Sequence, residues 1–235
     1  KPMKETKLFV QDQNIPCYGI EPTHGTAMAA RDKGIEIIEE FFGERLAHKL
    51  IKQGKGADLT AANNVLAHVP DINDFVKGFS IILNKEGVAT FEFPHILNLI
   101  KFNQFDTIYH EHYSYLSMTA LQSIFEMNGL SIFDVEELTT HGGSLRVYVQ
   151  KSNSGQFEVS SSVSRLIKIE KNAGVCSLDY YNDFQSKVEK VKNDFLDFLI
   201  QAKKNGKKII GYGAAAKGNT LINFSDIGPD MIDFI

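Results

Sequence analysis

Cysteine is scarce in this sequence: Cys17 and Cys176 are the only two in 235 residues. They lie far apart, and two cysteines make neither a zinc ring nor a disulfide framework. A reducing, cytoplasmic setting is therefore expected. Long apolar runs are also missing. None reaches the length of a membrane span, no signal-peptide pattern opens the chain, and no membrane partner is expected. Excess positive charge is absent too. Twenty-five Lys and Arg against 29 Asp and Glu leave a net charge of −4, with the lysines scattered. That excludes the concentrated basic face a nucleic-acid partner requires. Hydrophobic residues, at 43%, suffice for one large domain or one and a half. Nothing in the composition speaks to oligomeric state. The chain opens on Lys1 and stops at Ile235 inside an apparent strand, so it reads as part of a longer protein.

The first half alternates between helical and strand periods. Residues 4–13 read as a helix, 16–21 as a short strand ending in an acid, 25–33 as a helix and 35–39 as a strand. Helix 45–53, strand 57–62, helix 72–83 and strand 88–93 follow. Strands alternating with helices of about a dozen residues predict a parallel, doubly wound α/β sheet. Residues 131–136 and 144–150 read as two strands without a helix between them, an expected antiparallel edge hairpin. Residues 94–128 interrupt the alternation, and insertions after a strand's carboxyl end are where α/β enzymes hold their chemistry. Residues 151–164 are serine-rich and polar, a plausible boundary. Beyond them lies an amphipathic helix over 180–204, with Phe184, Val188, Val191, Phe195 and Leu199 on one face. A strand–loop–helix–strand unit is expected over 207–235.

The stretch Thr107–Tyr115 packs two histidines, a carboxylate and three tyrosines into nine residues, with no apolar period that asks for them. Histidine moves protons near neutral pH, and Glu and Tyr are common orienting partners, so the cluster reads as a general acid/base site. His110 and His112 also form a His-x-His pair of the kind that binds metals, but no third ligand sits at an obvious spacing. Four other places invite a functional reading beside a structural one. Glu21, before Pro22, ends a strand and reads as a ribose-binding acid or as a surface carboxylate. Asn63 and Asn64 follow a strand and suit adenosine or methionine groups, while His68 reads as a substrate-facing or a core histidine. His141–Arg146 pairs two glycines with Ser144 and Arg146, giving either an anion site or an ordinary turn. Gly211–Thr220 follows a strand and precedes a helix. Its small residues and Lys217 suit a diphosphate, although the spacing is not that of a P-loop.

Together these residues resemble the S-adenosylmethionine-dependent C-methyltransferases of nucleotide-linked deoxysugars. The resemblance rests on Gly19–Pro22, Asn63–Pro70, Phe91–Pro94, Tyr109–His112, His141–Arg146 and Gly211–Asn219, and covers nearly the whole chain. It implies a class I methyltransferase-like doubly wound sheet over residues 1–155, without its first strand and glycine loop and with the insertion at 94–128. A helical connector and an incomplete Rossmann-like nucleotide-sugar domain would occupy 156–235. The family's zinc module falls outside the sequence, so no metal site is expected. The implied cofactor is S-adenosylmethionine, held by Glu21, Pro22, Asn63 and Asn64. The implied substrate is a nucleoside-diphosphate-4-keto-deoxysugar, on dTDP, methylated at a ring carbon beside the ketone, C-3 by family habit. His112 would be the base that forms the enolate, with Tyr109 and Glu111 positioning it or the sugar. His68, His110, Ser144, Arg146, Gly213, Ala214, Lys217 and Asn219 would contact the substrate. The competing expectations are a nicotinamide-dependent oxidoreductase and a non-catalytic nucleotide-sugar-binding protein.

Overall fold

A computed structural model describes residues 15–213 and 215–234. The helix expected over 4–13 and the site residue Ala214 lie outside the described residues. Contacts divide the chain into two compact units. One holds the described residues up to Gly56 together with Asp74–Ile82, and the other holds Ala57–Asn73 and the described residues from Leu83 onward.

In the first unit, β1 (Tyr18–Ile20) pairs in parallel with β2 (Glu36–Ile38), and α1 (His24–Arg31) makes the crossover between them. The helix α2 (Glu44–Lys52) turns Leu46, Ala47 and Leu50 to one face, and these pack with Ile82 against Tyr18, Ile20, Ile38 and Phe42. Ile82 ends α3 (Ile72–Ile82). Phe42 sits edge-on to Phe75 and Phe79, at 5.7 and 4.8 Å between centroids. At Gly78 a Cβ would come within 2.9 Å of the Phe42 ring and 3.0 Å of the Gly43 backbone, so glycine lets these segments approach.

The second unit is a four-stranded sheet in the order β3 (Ala57–Asn63), β4 (Leu83–Pro94), β6 (Ser144–Lys151), β5 (Leu130–Leu138). β3 and β4 are parallel; β6 is antiparallel to both its neighbours. The registers Asn63↔Glu92 and Pro94↔Ser144 bring the ends of β3 and β4 and the start of β6 to one edge of the sheet. That edge carries the candidate site. Phe91, Phe93, Leu145, Val147 and Val149 are fully buried at the centre.

The antiparallel pair sits at one edge of the sheet as expected, with β5 outermost and β6 between it and β4. A strand buried at Leu145, Val147 and Val149 gains more from a central place than from an edge. One expectation changes here, since residues 94–128, read as an interruption, are helical at both ends. They hold the short α4 (Ile96–Lys101) and then α5 (Met118–Met127), which leads into β5. Ser117 caps α5 by accepting from the Ala120 N–H, and Met118, Leu121 and Phe125 bury its inner face.

The serine-rich stretch belongs to a helix start as well. In α6 (Ser161–Ala173), Val163, Leu166 and Glu170 are buried. Glu170 is 0% exposed and its carboxylate receives the Met118 and Thr119 N–H groups, the Thr119 hydroxyl and His95 Nε2, at 2.6–2.8 Å. A long helix, α7 (Phe184–Lys204), and α8 (Ala216–Phe224) follow. Where strands are expected at either end of 207–235, Ile210 and Phe234 form an isolated parallel bridge among the described residues.

Candidate active site

The loop between α4 and α5 is held at both sides. The Tyr113 and Ser114 N–H groups donate to the Ala67 carbonyl at 2.8 and 3.3 Å, and the Ile96 N–H donates to Leu116 at 3.0 Å. Ala67 belongs to the short turn Leu66–His68 that follows β3. These bonds lay Tyr109–Tyr115 across that turn and bring the cluster into one place. The His112 ring lies 4.7 Å from His68 and 4.4 Å from Tyr109, with Tyr115 edge-on at 5.9 Å. His110 and Glu111 stay exposed on the same loop. A small, mostly apolar pocket beside His112 is lined by Ala67, Pro94, Leu99, Leu116 and Tyr115.

His112 Nδ1 is 2.8 Å from the Thr107 carbonyl oxygen. A carbonyl only accepts, so Nδ1 carries the proton and Nε2 keeps its lone pair. Burial pushes the imidazolium below the usual histidine range, and the His68 and Lys217 charges push the same way; the Thr107 carbonyl and Glu111 oppose them. The result is a neutral imidazole near pH 7 with a basic nitrogen of known identity. Burial, with Glu111 and Asp106, raises the Tyr109 phenol, which therefore stays protonated and able to donate. Burial likewise raises Tyr115, whose hydroxyl is bonded to the Tyr109 backbone. Among the described residues, no three His, Cys, Asp or Glu side chains are arranged to hold a metal ion.

The remaining expected residues fall into distinct situations. Lys217, in the first turn of α8, reaches the His141 carbonyl at 3.5 Å and is close enough to His112 to act on its charge. Packing of Phe224 on Phe105, at 5.0 Å, seats α8 there. Gly213 and Asn219 are exposed, Gly213 with φ of 102°. Arg146 is engaged by the protein itself: Nη2 meets buried Glu92 at 2.9 Å and Nη1 meets Glu136 at 3.5 Å. Ser144 is 1% exposed and donates to the Thr140 carbonyl at 3.1 Å, so its hydroxyl also faces inward. Asn64 adopts φ of 55°, with its N–H on the Glu92 carbonyl at 2.7 Å, and the Asn63 Oδ1 is buried with no partner. Glu21 and Pro22 belong to the first unit, where a Glu21 oxygen accepts from the Thr23 N–H at 2.8 Å.

Two contributions escaped the sequence reading. Thr107 acts through a backbone carbonyl, which leaves no mark in residue identity. Gln104 acts through a partner 38 residues away, the Gly142 carbonyl. Tyr115 was counted in the aromatic cluster but given no role of its own.

Comparison with known proteins adds a second line. Residues 5–135 match the methyltransferase domain family, and residues 139–235 match the C-methyltransferase C-terminal domain family. C-methyltransferase NovU of Streptomyces niveus is 32% identical over 216 residues, which are 92% of this chain and 51% of that protein. The chain thus spans about half the length of this curated relative. Among solved structures, the PH0226 protein of Pyrococcus horikoshii OT3 superposes with a TM-score of 0.50 at 12% identity, covering 62% of this chain and 76% of that one. That likeness concerns the α/β fold alone.

Proposed function

The chain belongs to the methyltransferase domain family, and from that premise we propose that it is an S-adenosylmethionine-dependent C-methyltransferase that methylates a ring carbon next to the ketone of a nucleoside-diphosphate-4-keto-deoxysugar. We take dTDP as the carrier and C-3 as the carbon. The observation that carries the reading is the fixed Nδ1–H of His112, which leaves Nε2 as a base of defined direction. Residues 1–155 are assigned to the methyltransferase domain and 156–235 to the connector and nucleotide-sugar domain.

The residues fit the cofactor. Asn63 offers a buried acceptor that no group among the described residues satisfies, and Glu21 sets a carboxylate one residue beyond β1, the usual station for ribose hydroxyls. We assign cofactor binding to Glu21, Pro22, Asn63 and Asn64. S-adenosylmethionine, when bound, supplies an electrophilic sulfonium methyl. His112 Nε2 takes the proton from the carbon beside the substrate ketone, whose acidity the carbonyl raises. Protonated Tyr109 and the Lys217 ammonium favour the negative charge that develops on the ketone oxygen. His68 and His110 line the sugar, and Glu111 tempers the positive surroundings of His112. Lys217, Gly213, Ala214 and Asn219 receive the diphosphate. Ser144 and Arg146 act at one remove, by holding the turn beneath it.

Calorimetric titration of S-adenosylhomocysteine and of dTDP into the full-length protein tests this. One-to-one binding of both is expected. Binding of dTDP without S-adenosylhomocysteine would leave a nucleotide-sugar-binding protein that catalyses nothing.

A further inference from the structure

The turn Thr140–Gly142 has three successive residues on the left-handed side, counting Gly143: His141 at φ 53°, Gly142 at 85° and Gly143 at 117°. A non-glycine residue there is strained and needs support from its surroundings. The support comes from several elements. Glu92 on β4 accepts from the Thr140 hydroxyl at 3.2 Å, the His95 N–H donates to the Gly143 carbonyl at 3.1 Å, and Lys217 reaches the His141 carbonyl. Gln104 donates through Nε2 to the Gly142 carbonyl at 2.8 Å, and it lies so close that a Cβ on Gly142 would be 2.5 Å from that nitrogen.

Gln104 also faces the other way. Its main-chain carbonyl accepts the Thr107 hydroxyl at 2.8 Å and the Thr107 N–H at 3.2 Å, and the Thr107 main-chain carbonyl in turn holds His112 Nδ1. An unbroken set of hydrogen bonds therefore runs from the left-handed turn, where Lys217 is anchored, through Gln104 and Thr107 to His112. We propose that Gln104 is a positioning residue that fixes the tautomer of His112 and ties it to the Lys217-bearing helix. An unrestrained neutral imidazole favours the proton on Nε2, which would leave no base pointing at a substrate. The Thr107 carbonyl reverses that preference, and Gln104 holds this carbonyl in line. The inference rests on reading His112 as the base.

The test is ¹⁵N-histidine NMR of the full-length protein with its Gln104 and Thr107 variants. Neutral His112 in the wild type is expected to be protonated at Nδ1. Gln104→Met keeps the length and packing but cannot donate to Gly142, and should shift His112 towards Nε2–H. Gln104→Glu, as a carboxylate, should do the same. Thr107→Val breaks the relay from its other side and should reproduce the shift, whereas Thr107→Ser restores the hydroxyl and should not. In activity, kcat/KM should fall about tenfold while S-adenosylhomocysteine affinity stays within a few fold. The pH at which the base titrates should move with the tautomer, against an unchanged set of neighbours: His68, Tyr109, Glu111, Tyr115 and Lys217.

An Nε2–H wild type, or a Gln104→Met protein with wild-type tautomer and pH profile, overturns the proposal. Should Gln104→Met not fold, a wild-type tautomer in Thr107→Val overturns it equally. A protein with no methyl transfer whose His112 tautomer still follows Gln104 would sink the base assignment and leave the positioning role standing.

Discussion

At the scale of single residues, the proposed chemistry turns on which nitrogen of His112 is free and when it is uncharged. General bases of this kind are worth about a hundredfold to ten-thousandfold, so His112→Ala should lower methyl transfer by about a thousandfold. Nucleotide and cofactor affinities should stay within a few fold, because the binding groups lie elsewhere. The pH profile carries its own signature. Burial sets the His112 imidazolium below the ordinary histidine range, with help from His68 and Lys217. The active form is the neutral one, so kcat/KM should rise with pH through that lowered value and be level by neutrality. Lys217→Met removes a positive neighbour and should move the rise to higher pH. An unchanged profile would take Lys217 out of the base's surroundings. The cluster itself was legible in the sequence because Tyr109, His110, Glu111 and His112 obey no apolar period. Its orientation was not, because a carbonyl at Thr107 sets it.

Among the elements, two of the helices that went unread share one cause. In α5, Met118, Leu121 and Phe125 make an ordinary inner face, but the polar aromatic loop before it masks the period. In α6 the serines resemble a linker, and a charged Glu170 occupies a position where an apolar residue would have revealed the face. That glutamate is buried because it finishes another helix. Its carboxylate meets the N-terminal N–H groups of α5, which a negative charge stabilises. Burial alone would raise its pKa, but the bonds from His95 and Thr119 and from the Met118 and Thr119 backbone outweigh burial and lower it. A folded-state value below the unfolded one, about 4.3, means stability that is present above that value and lost as pH falls through the lowered one. Glu170→Gln should cost about 3 kcal/mol at neutral pH, since it leaves buried donors facing an amide nitrogen. Urea denaturation should show the gap between wild type and variant closing as the wild-type carboxyl is protonated in acid. A constant gap across pH would mean that the charge contributes nothing.

For the whole molecule, the sequence made the doubly wound α/β class legible through strand–helix alternation from Tyr18 to Phe93. The order of strands was hidden. Neither Ser131–Glu136 nor Ser144–Gln150 reveals by period which of them takes the inner place, because that depends on packing across both faces of β6. The prediction that belongs to this scale concerns the first unit. Glu21→Ala removes a charged hydrogen-bond acceptor worth about 1.5–3 kcal/mol, so S-adenosylhomocysteine should bind the full-length variant roughly tenfold to a hundredfold more weakly. Turnover that fell at unchanged affinity would remove Glu21 from cofactor binding.

The left-handed turn at His141–Gly143 bears on how such enzymes can be recombined. It lies just inside the second family match, two residues after the junction between residues 135 and 139. Its supports, Glu92, His95 and Gln104, lie before that junction, and Lys217 lies far beyond it. A chimera joined at the junction would graft one parent's turn onto another parent's brackets. The two halves are therefore not interchangeable cassettes. A crossover that looks natural in the sequence would cut through the part of the molecule that least tolerates mixed parentage.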